Sequence, residues 1–517
     1  MRNSTLGLTA LLGCLLLGGC DKLNSPPKTS SAPNGMQTEA PIQTQENAYS
    51  RLTRRVNGAL VADPWRLENE EQQALVRDLL EGLTIYDPAG KVIRGLAESW
   101  QTQDNKLWRF NLRENLHWAN GAPLTAAELV QSFQALAISD TPLKQYLAYM
   151  NLGNAQAVLS GQMPPEQLQI SAPDERTLIF QLDKPTPYLP AMLAHAILLP
   201  HVLDEKGELQ TNGAYLQQSV DEKGVHLVKN PHYYDLQKGH FAQVDYLSSS
   251  NSERADIFFA PPQPADNAQY FPKLCSYFYE FNLRDPRLQN AAVRKAIASL
   301  ISVRSITDNE MPHAIASSYF LPKAMLNGQD SQWEPVVAEQ LLAQQKIDEH
   351  HPLQLHILYD NCPLHQQIAN RLTRSLAQSD MLRVSAQSVD WPQLQEKRVA
   401  GEFQLIRSGW CADFHHPMAF LSLFYSHSPD NKSGYADKDY DRLFEQALKS
   451  TSESEQAALY LQLSAHIQNQ NLLLPLFQYT EAVDIAPDLG GVEKNPVGVI
   501  YSKDLFRQVT GNAPMEN

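Results

Sequence analysis

The residues of this chain that could do chemistry gather late in the sequence. The run Ser408-Gly409-Trp410-Cys411-Ala412-Asp413-Phe414 sets a carboxylate beside a cysteine and an indole, with Arg398 and Arg407 shortly before it. His365 and Trp391 lie upstream, Tyr479 downstream, and Glu68 and Glu280 are two further acids in aromatic surroundings. A carboxylate such as Asp413 is a natural partner for an ammonium group. Arg398 and Arg407 can hold a carboxylate through charge-assisted, often bidentate bonds. These are tools for holding a molecule by its charged ends, not for breaking bonds in it. The usual bond-breaking signatures do not occur: there is no G-x-S-x-G elbow, no phosphate-cradling Gly-rich loop and no H-E-x-x-H. His415 and His416 are adjacent, so their side chains diverge on a regular strand. No enzymatic activity, metal or other cofactor is expected.

The elements that must position these residues switch repeatedly between helical and strand periodicity, which makes the fold class mixed α and β. Apolar positions at helical spacing predict helices over 70–83, 289–302 and 454–470. Near alternation of large apolar and polar residues predicts strands at Leu107–Arg113 and Thr177–Leu182. Thr125-Ala126-Ala127-Glu128 reads as a capping box opening a helix through Phe133.

At 517 residues the chain is too long for one compact core, so several lobes are expected. Its 43% hydrophobic and 19% charged residues are those of an ordinary globular protein. The net charge of −15 argues against nucleic acid or anionic membrane as the main partner.

The first twenty residues carry the most specific local signal. Arg2 and the apolar run Leu6 to Leu17 form a signal peptide over residues 1–19, too short to span a bilayer. Leu17-Gly18-Gly19-Cys20 resembles a bacterial lipobox, which implies cleavage before Cys20 and its lipidation. Two or more acyl chains suffice for stable anchoring. By analogy, Asp21 points to the periplasmic side of the inner membrane of a Gram-negative cell. Residues 20–50 then read as the lipidated Cys20 and a flexible tether rich in Ser, Pro, Thr, Asn and Gln. Cys275, Cys362 and Cys411 remain in the folded part, and three cysteines in an oxidising compartment suggest one disulfide and one leftover thiol. Arithmetic alone leaves every pairing open.

Several separated segments together resemble the extracytoplasmic solute-binding proteins of family 5, in particular the oligopeptide-binding members that serve ABC importers. They are Asp63-Pro64-Trp65-Arg66-Leu67-Glu68, Val76 to Leu83, Gly95 to Trp100, Phe110 to Arg113, Trp118-Ala119-Asn120-Gly121 and the Thr125 helix. Asn212-Gly213-Ala214-Tyr215, Asn230 to Tyr234, Cys275 to Asn282, Val293 to Ala296 and the block from Leu355 to Phe506 complete the series. Taken singly, Asp413 would be a turn residue, the arginines surface residues and the tryptophans core. The order and spacing of the whole set favour ligand contact.

The resemblance implies a three-lobed periplasmic-binding-protein-like fold. Lobe I is expected over 51–80, 201–274 and 481–517, lobe II over 81–200 and lobe III over 275–480, with the cleft between lobes I and III. It further implies that Asp413 receives a peptide's α-ammonium group and that His365, Arg398 and Arg407 lie where peptide carboxylates can be met. Glu68 and Glu280 would line the cleft, with Trp391, Gly409, Trp410, Cys411 and Tyr479 completing the ligand-binding set. Cys275 and Cys411 would form the disulfide, leaving Cys362 as a small buried hydrophobe. The expected partners are a short peptide held through its termini and backbone, an ABC transporter permease and, through the lipid anchor, the membrane. The chain is expected to act as a monomer.

Four departures from the family pattern stand out. The stretches between Asn230 and Cys275 and between Ser302 and Gln332 are shorter, Leu143 stands where an aromatic contact belongs, and Glu70 replaces a small apolar residue. They keep two alternatives in view: another cargo (murein peptide, dipeptide or haem), or an envelope adhesion lipoprotein that has lost transport.

Overall fold

A computed structural model describes residues 50–69, 72–325 and 337–508. The expected signal peptide, Cys20, all of the tether but Ser50, Glu70 and part of the shortened 302–332 stretch lie outside the described residues.

One eleven-stranded sheet runs through the molecule. Its order is Leu382–Val389, Leu353–Asp360, Leu405–Cys411, Gln269–Phe281, Leu473–Ile485, Ile257–Phe259, Arg51–Arg55, Gln243–Leu247, Gly224–Lys229 and Tyr215–Asp221, with Ile315–Ala316 also paired to Leu473–Ile485. Two strands of thirteen residues each, Gln269–Phe281 and Leu473–Ile485, join its halves. The end of the first pairs with Leu405–Cys411, and the end of the second pairs with Ile257–Phe259. Where they cross between halves their ladder is broken just after Pro272, a residue with no N–H to donate. Pairing resumes after a register shift between Pro272 and Ser276. The buried Gln478 side chain fills the gap, donating to Lys273 O at 2.7 Å.

The second body is a four-stranded antiparallel sheet, Ala97–Thr102, Leu107–Leu112, Thr177–Gln181 and Ile170–Asp174. The alternation expected in Leu107–Leu112 is real: Trp108, Phe110 and Leu112 are buried while Arg109 is exposed. The capping-box helix runs over Ala126–Ile138, one turn further than expected, with Thr125 N–H donating to Glu128 at 2.8 Å. Its Phe133 meets Phe180 edge-on at 5.4 Å.

This sheet is inserted between Arg51–Arg55 and Tyr215–Asp221, so the first lobe is assembled from stretches far apart in sequence. Lys503 Nζ closes it by donating to Glu81 Oε2 at 2.7 Å and Tyr233 OH at 2.9 Å, all three side chains being buried. The architecture is three-lobed with a discontinuous first lobe.

Three predicted helices are found with shifted ends. The first spans Gln73–Leu79, since Leu80 is already extended. The second ends at Ser299, not 302, because Ser302 caps a new helix, Val303–Glu310. The third spans Glu453–Asn469 with Ser452 as its cap. Among the described residues no helix is long and apolar enough to cross a membrane.

Candidate functional site

Asp413 lies two residues past the end of the strand Leu405–Cys411, and the chain around it is held at three points. Cys411 stands opposite Cys275 in the ladder, Cα atoms 4.0 Å apart, and the two form a disulfide. Ala412 N–H donates to Leu274 O at 2.8 Å. Phe414, buried, lies flat on Tyr188 of the second lobe with ring centroids 5.2 Å apart. Tyr149 also meets Phe414, ring centroids 6.1 Å apart, and Tyr146 packs on Tyr149 at 5.7 Å. Burial, and then the nearby Asp413 charge, push both phenols well above their ordinary pKa. A binding group held this way loses little conformational freedom when a ligand arrives.

A cavity of about 180 Å3 opens where the three lobes meet, and Asp413 is on its wall. Glu68 lies on the wall from the first lobe, on a turn where Trp65 N–H donates to Asp63 at 2.8 Å and Trp65 stacks on His201 at 3.7 Å. Leu143, the expected substitute for an aromatic contact, lines it from the second lobe. Lys273 and Glu481 come from the two joining strands and pair at 3.2 Å. Asn69, Gln73, Arg77 and His195 complete the polar lining. Arg77 donates to Ala194 O at 3.0 Å, and burial, helped by the Arg77 charge, pushes the His195 pKa down to about 3.

The other expected residues form a second group, inside the third lobe. His365 Nδ1 meets Asp360 Oδ2 at 2.7 Å, and Arg407 Nη2 donates to His365 Nε2 at 2.9 Å. The Arg407 guanidinium lies 5.1 Å from the Tyr277 ring centre and 5.7 Å from that of Trp391, and Tyr479 packs edge-on to Tyr277. Arg398 Nε donates to the buried Glu280 at 2.8 Å. None of His365, Trp391, Arg398, Arg407, Glu280 and Tyr479 is on the wall of the cavity.

Burial pushes the Asp360 carboxyl up, but the His365 hydrogen bond and the Arg407 charge outweigh it and hold the pKa below the usual value. His365 is pushed down, first by burial and also by Arg407, against the pull of Asp360.

Two more expected residues serve the frame. Trp410 Nε1 donates to Ala419 O at 2.7 Å, and Gly409 stands opposite Tyr277 in the ladder. Cys362 is buried, as expected of a small hydrophobe, at the N-terminal cap of the helix Pro363–Leu376. His415 and His416 do diverge: the first meets Gly90 O at 2.8 Å, while burial pushes the second down to a pKa of about 3. Among the described residues no cluster could hold a metal ion.

Asp360, Lys273, Glu481 and Arg77 were missed. Asp360 had a faint signal, standing five residues before His365. The others had none: strand register brings Lys273 and Glu481 to the site, and the helix Gln73–Leu79 brings Arg77.

Comparison with known proteins identifies the family. The family model described as "Bacterial extracellular solute-binding proteins, family 5 Middle" matches residues 91–432. A putative binding protein of Haemophilus influenzae is 49% identical over 493 residues, 95% of each chain. The periplasmic murein tripeptide-binding protein MppA in its unliganded open form superposes with a TM-score of 0.82 at 28% identity, covering 89% of this chain and 97% of that one. OppA of Haemophilus influenzae in complex with the peptide RPPGFSPFR superposes at 0.59 and 25% identity, covering 89% and 99%. A three-lobed chain with this polar cleft and a family match over most of its length belongs to the bacterial extracellular solute-binding proteins of family 5.

Proposed function

We propose that this chain is a lipid-anchored receptor of the periplasm that captures short peptides and delivers them to the permease of an ABC importer. The observation that carries the reading is Asp413, facing a cavity shared by three lobes on a segment braced by a disulfide and an aromatic stack.

A receptor that accepts many side chains can hold only what peptides share, an ammonium end and a backbone. Asp413 suits the ammonium. Backbone groups can be met by strand-like pairing, which gives affinity without sequence preference. Side-chain pockets can stay wet, since bridging water costs little. Closure is a hinge motion about Gln269–Phe281 and Leu473–Ile485, whose broken ladder at Pro272 offers the flexible point. The work is capture, closure and delivery, with Cys20 as the anchor.

Mass spectrometry of whatever co-purifies with the native protein tests this. A ladder of short peptides supports it. A single tetrapyrrole, or no small ligand from a protein that binds a surface partner instead, overturns it. Calorimetry with peptides whose amine is acetylated adds a second check: blocking the amine must weaken binding more than changing side chains does.

A further inference from the structure

The cations of the third lobe that could meet a ligand's carboxylate already have acids of their own. Arg398 is bonded to Glu280, whose side chain is 5% exposed. Arg407, 1% exposed, has its Nη1 3.6 Å from Asp360 Oδ1 while its Nη2 donates to His365 Nε2 at 2.9 Å. Since an arginine can only donate, Nε2 must accept, which leaves the proton of a neutral His365 on Nδ1. That proton is directed at Asp360 Oδ2, 2.7 Å away. The three side chains close a ring of contacts in which the charges of Asp360 and Arg407 balance.

We propose that Asp360 fills, from within the chain, the place at Arg407 and His365 that a ligand's carboxylate would otherwise take, so that cargo is selected by its amine and backbone and not by a free carboxylate. This rests on the reading of the chain as a peptide receptor.

Three observations support it. A second carboxylate at Arg407 would stand beside the Asp360 charge in a water-poor setting, where like charges repel strongly. Buried in this group without a hydrogen bond are the Arg407 Nε–H, a donor, and Asp360 Oδ1, an acceptor. An unmet donor beside an unmet carboxylate oxygen, with the charges already balanced, suits a water or a carbonyl oxygen better than another anion. The cavity itself supplies no surplus of cations: Glu68, Asp413 and Glu481 line it against Arg77 and Lys273.

The test is calorimetry with matched peptides that end in a carboxylate or in an amide. Wild-type affinities should agree within about threefold, while Asp360→Asn should favour the carboxylate by about tenfold or more. A wild type that prefers the carboxylate about tenfold, or a variant whose ratio is unchanged, overturns the proposal. If the variant does not fold, the wild-type pair decides alone. If the wild type binds neither peptide, the peptide reading has failed, and nitrogen NMR of His365 with added acetate still decides about Asp360. Acetate should leave the wild-type ring unmoved and shift it in Asp360→Asn. A shift in the wild type, or none in the variant, overturns the assignment.

Discussion

Phe414 lies on Tyr188 with their planes within 8° of parallel, so the residue adjoining Asp413 is braced by the second lobe. Stacked pairs of this kind contribute about 0.5–1.5 kcal/mol beyond the area they bury. Tyr188→Leu keeps apolar bulk and removes the stack. It should weaken peptide binding by about 1 kcal/mol, roughly fivefold, by loosening the segment that holds Asp413. Calorimetry reads this directly, and unchanged affinity would mean that the stack supports the fold only.

Asp413 itself should matter more. Removing one partner of a desolvated ion pair leaves the other charge buried and unmet, at a cost of about 3–5 kcal/mol. Asp413→Ala should therefore abolish measurable binding of free-amine peptides while the protein stays folded by circular dichroism. Retained affinity would sink the assignment of Asp413.

The Cys275–Cys411 bond closes a long loop, its cysteines 136 residues apart. Replacing both residues by alanine should lower stability by about 2–4 kcal/mol in urea unfolding. It should also weaken peptide binding, because the Asp413 segment would no longer be held before the ligand arrives. A double variant that loses stability but binds as tightly as wild type would show that the bond does not preorganise the site.

Local patterns such as the Leu107–Leu112 alternation and the Thr125–Glu128 box were legible because neighbours along the chain set them. The Cys275–Cys411 pairing was legible only through family resemblance, since spacing left every pairing open. The Lys273–Glu481 pair was not legible at all, because its members are 208 residues apart and meet through the register of two strands. Asp360 was overlooked for a related reason. The site residues were sought as contacts of a ligand, whereas His365 and Arg407 turn their polar atoms toward a strand end in their own lobe.

Acid should destabilise the fold through histidines buried in their neutral form. His195 caps the short helix Ala196–Leu198, its Nδ1 accepting from Ile197 N–H at 3.2 Å, and stacks on Tyr146 at 4.5 Å. Burial, and next the Arg77 charge, take its pKa to about 3, against about 6.5 in an unfolded chain. Between those values the unfolded state binds a proton that the folded state refuses, so stability falls as pH drops below about 6.5. At pH 5 the loss from this one residue is about 2 kcal/mol. His416, with the same direction and a pKa of about 3, adds a similar loss, and His365 shifts the same way. The low Asp360 pKa contributes only in stronger acid, below the ordinary carboxylate range. Urea unfolding at pH 7 and pH 5 should thus show a clear fall for the wild type. His195→Asn keeps a capping acceptor without a titrating ring, so its fall between the same two pH values should be smaller by about 2 kcal/mol. An identical fall in wild type and variant would show that His195 takes up its proton without unfolding the protein.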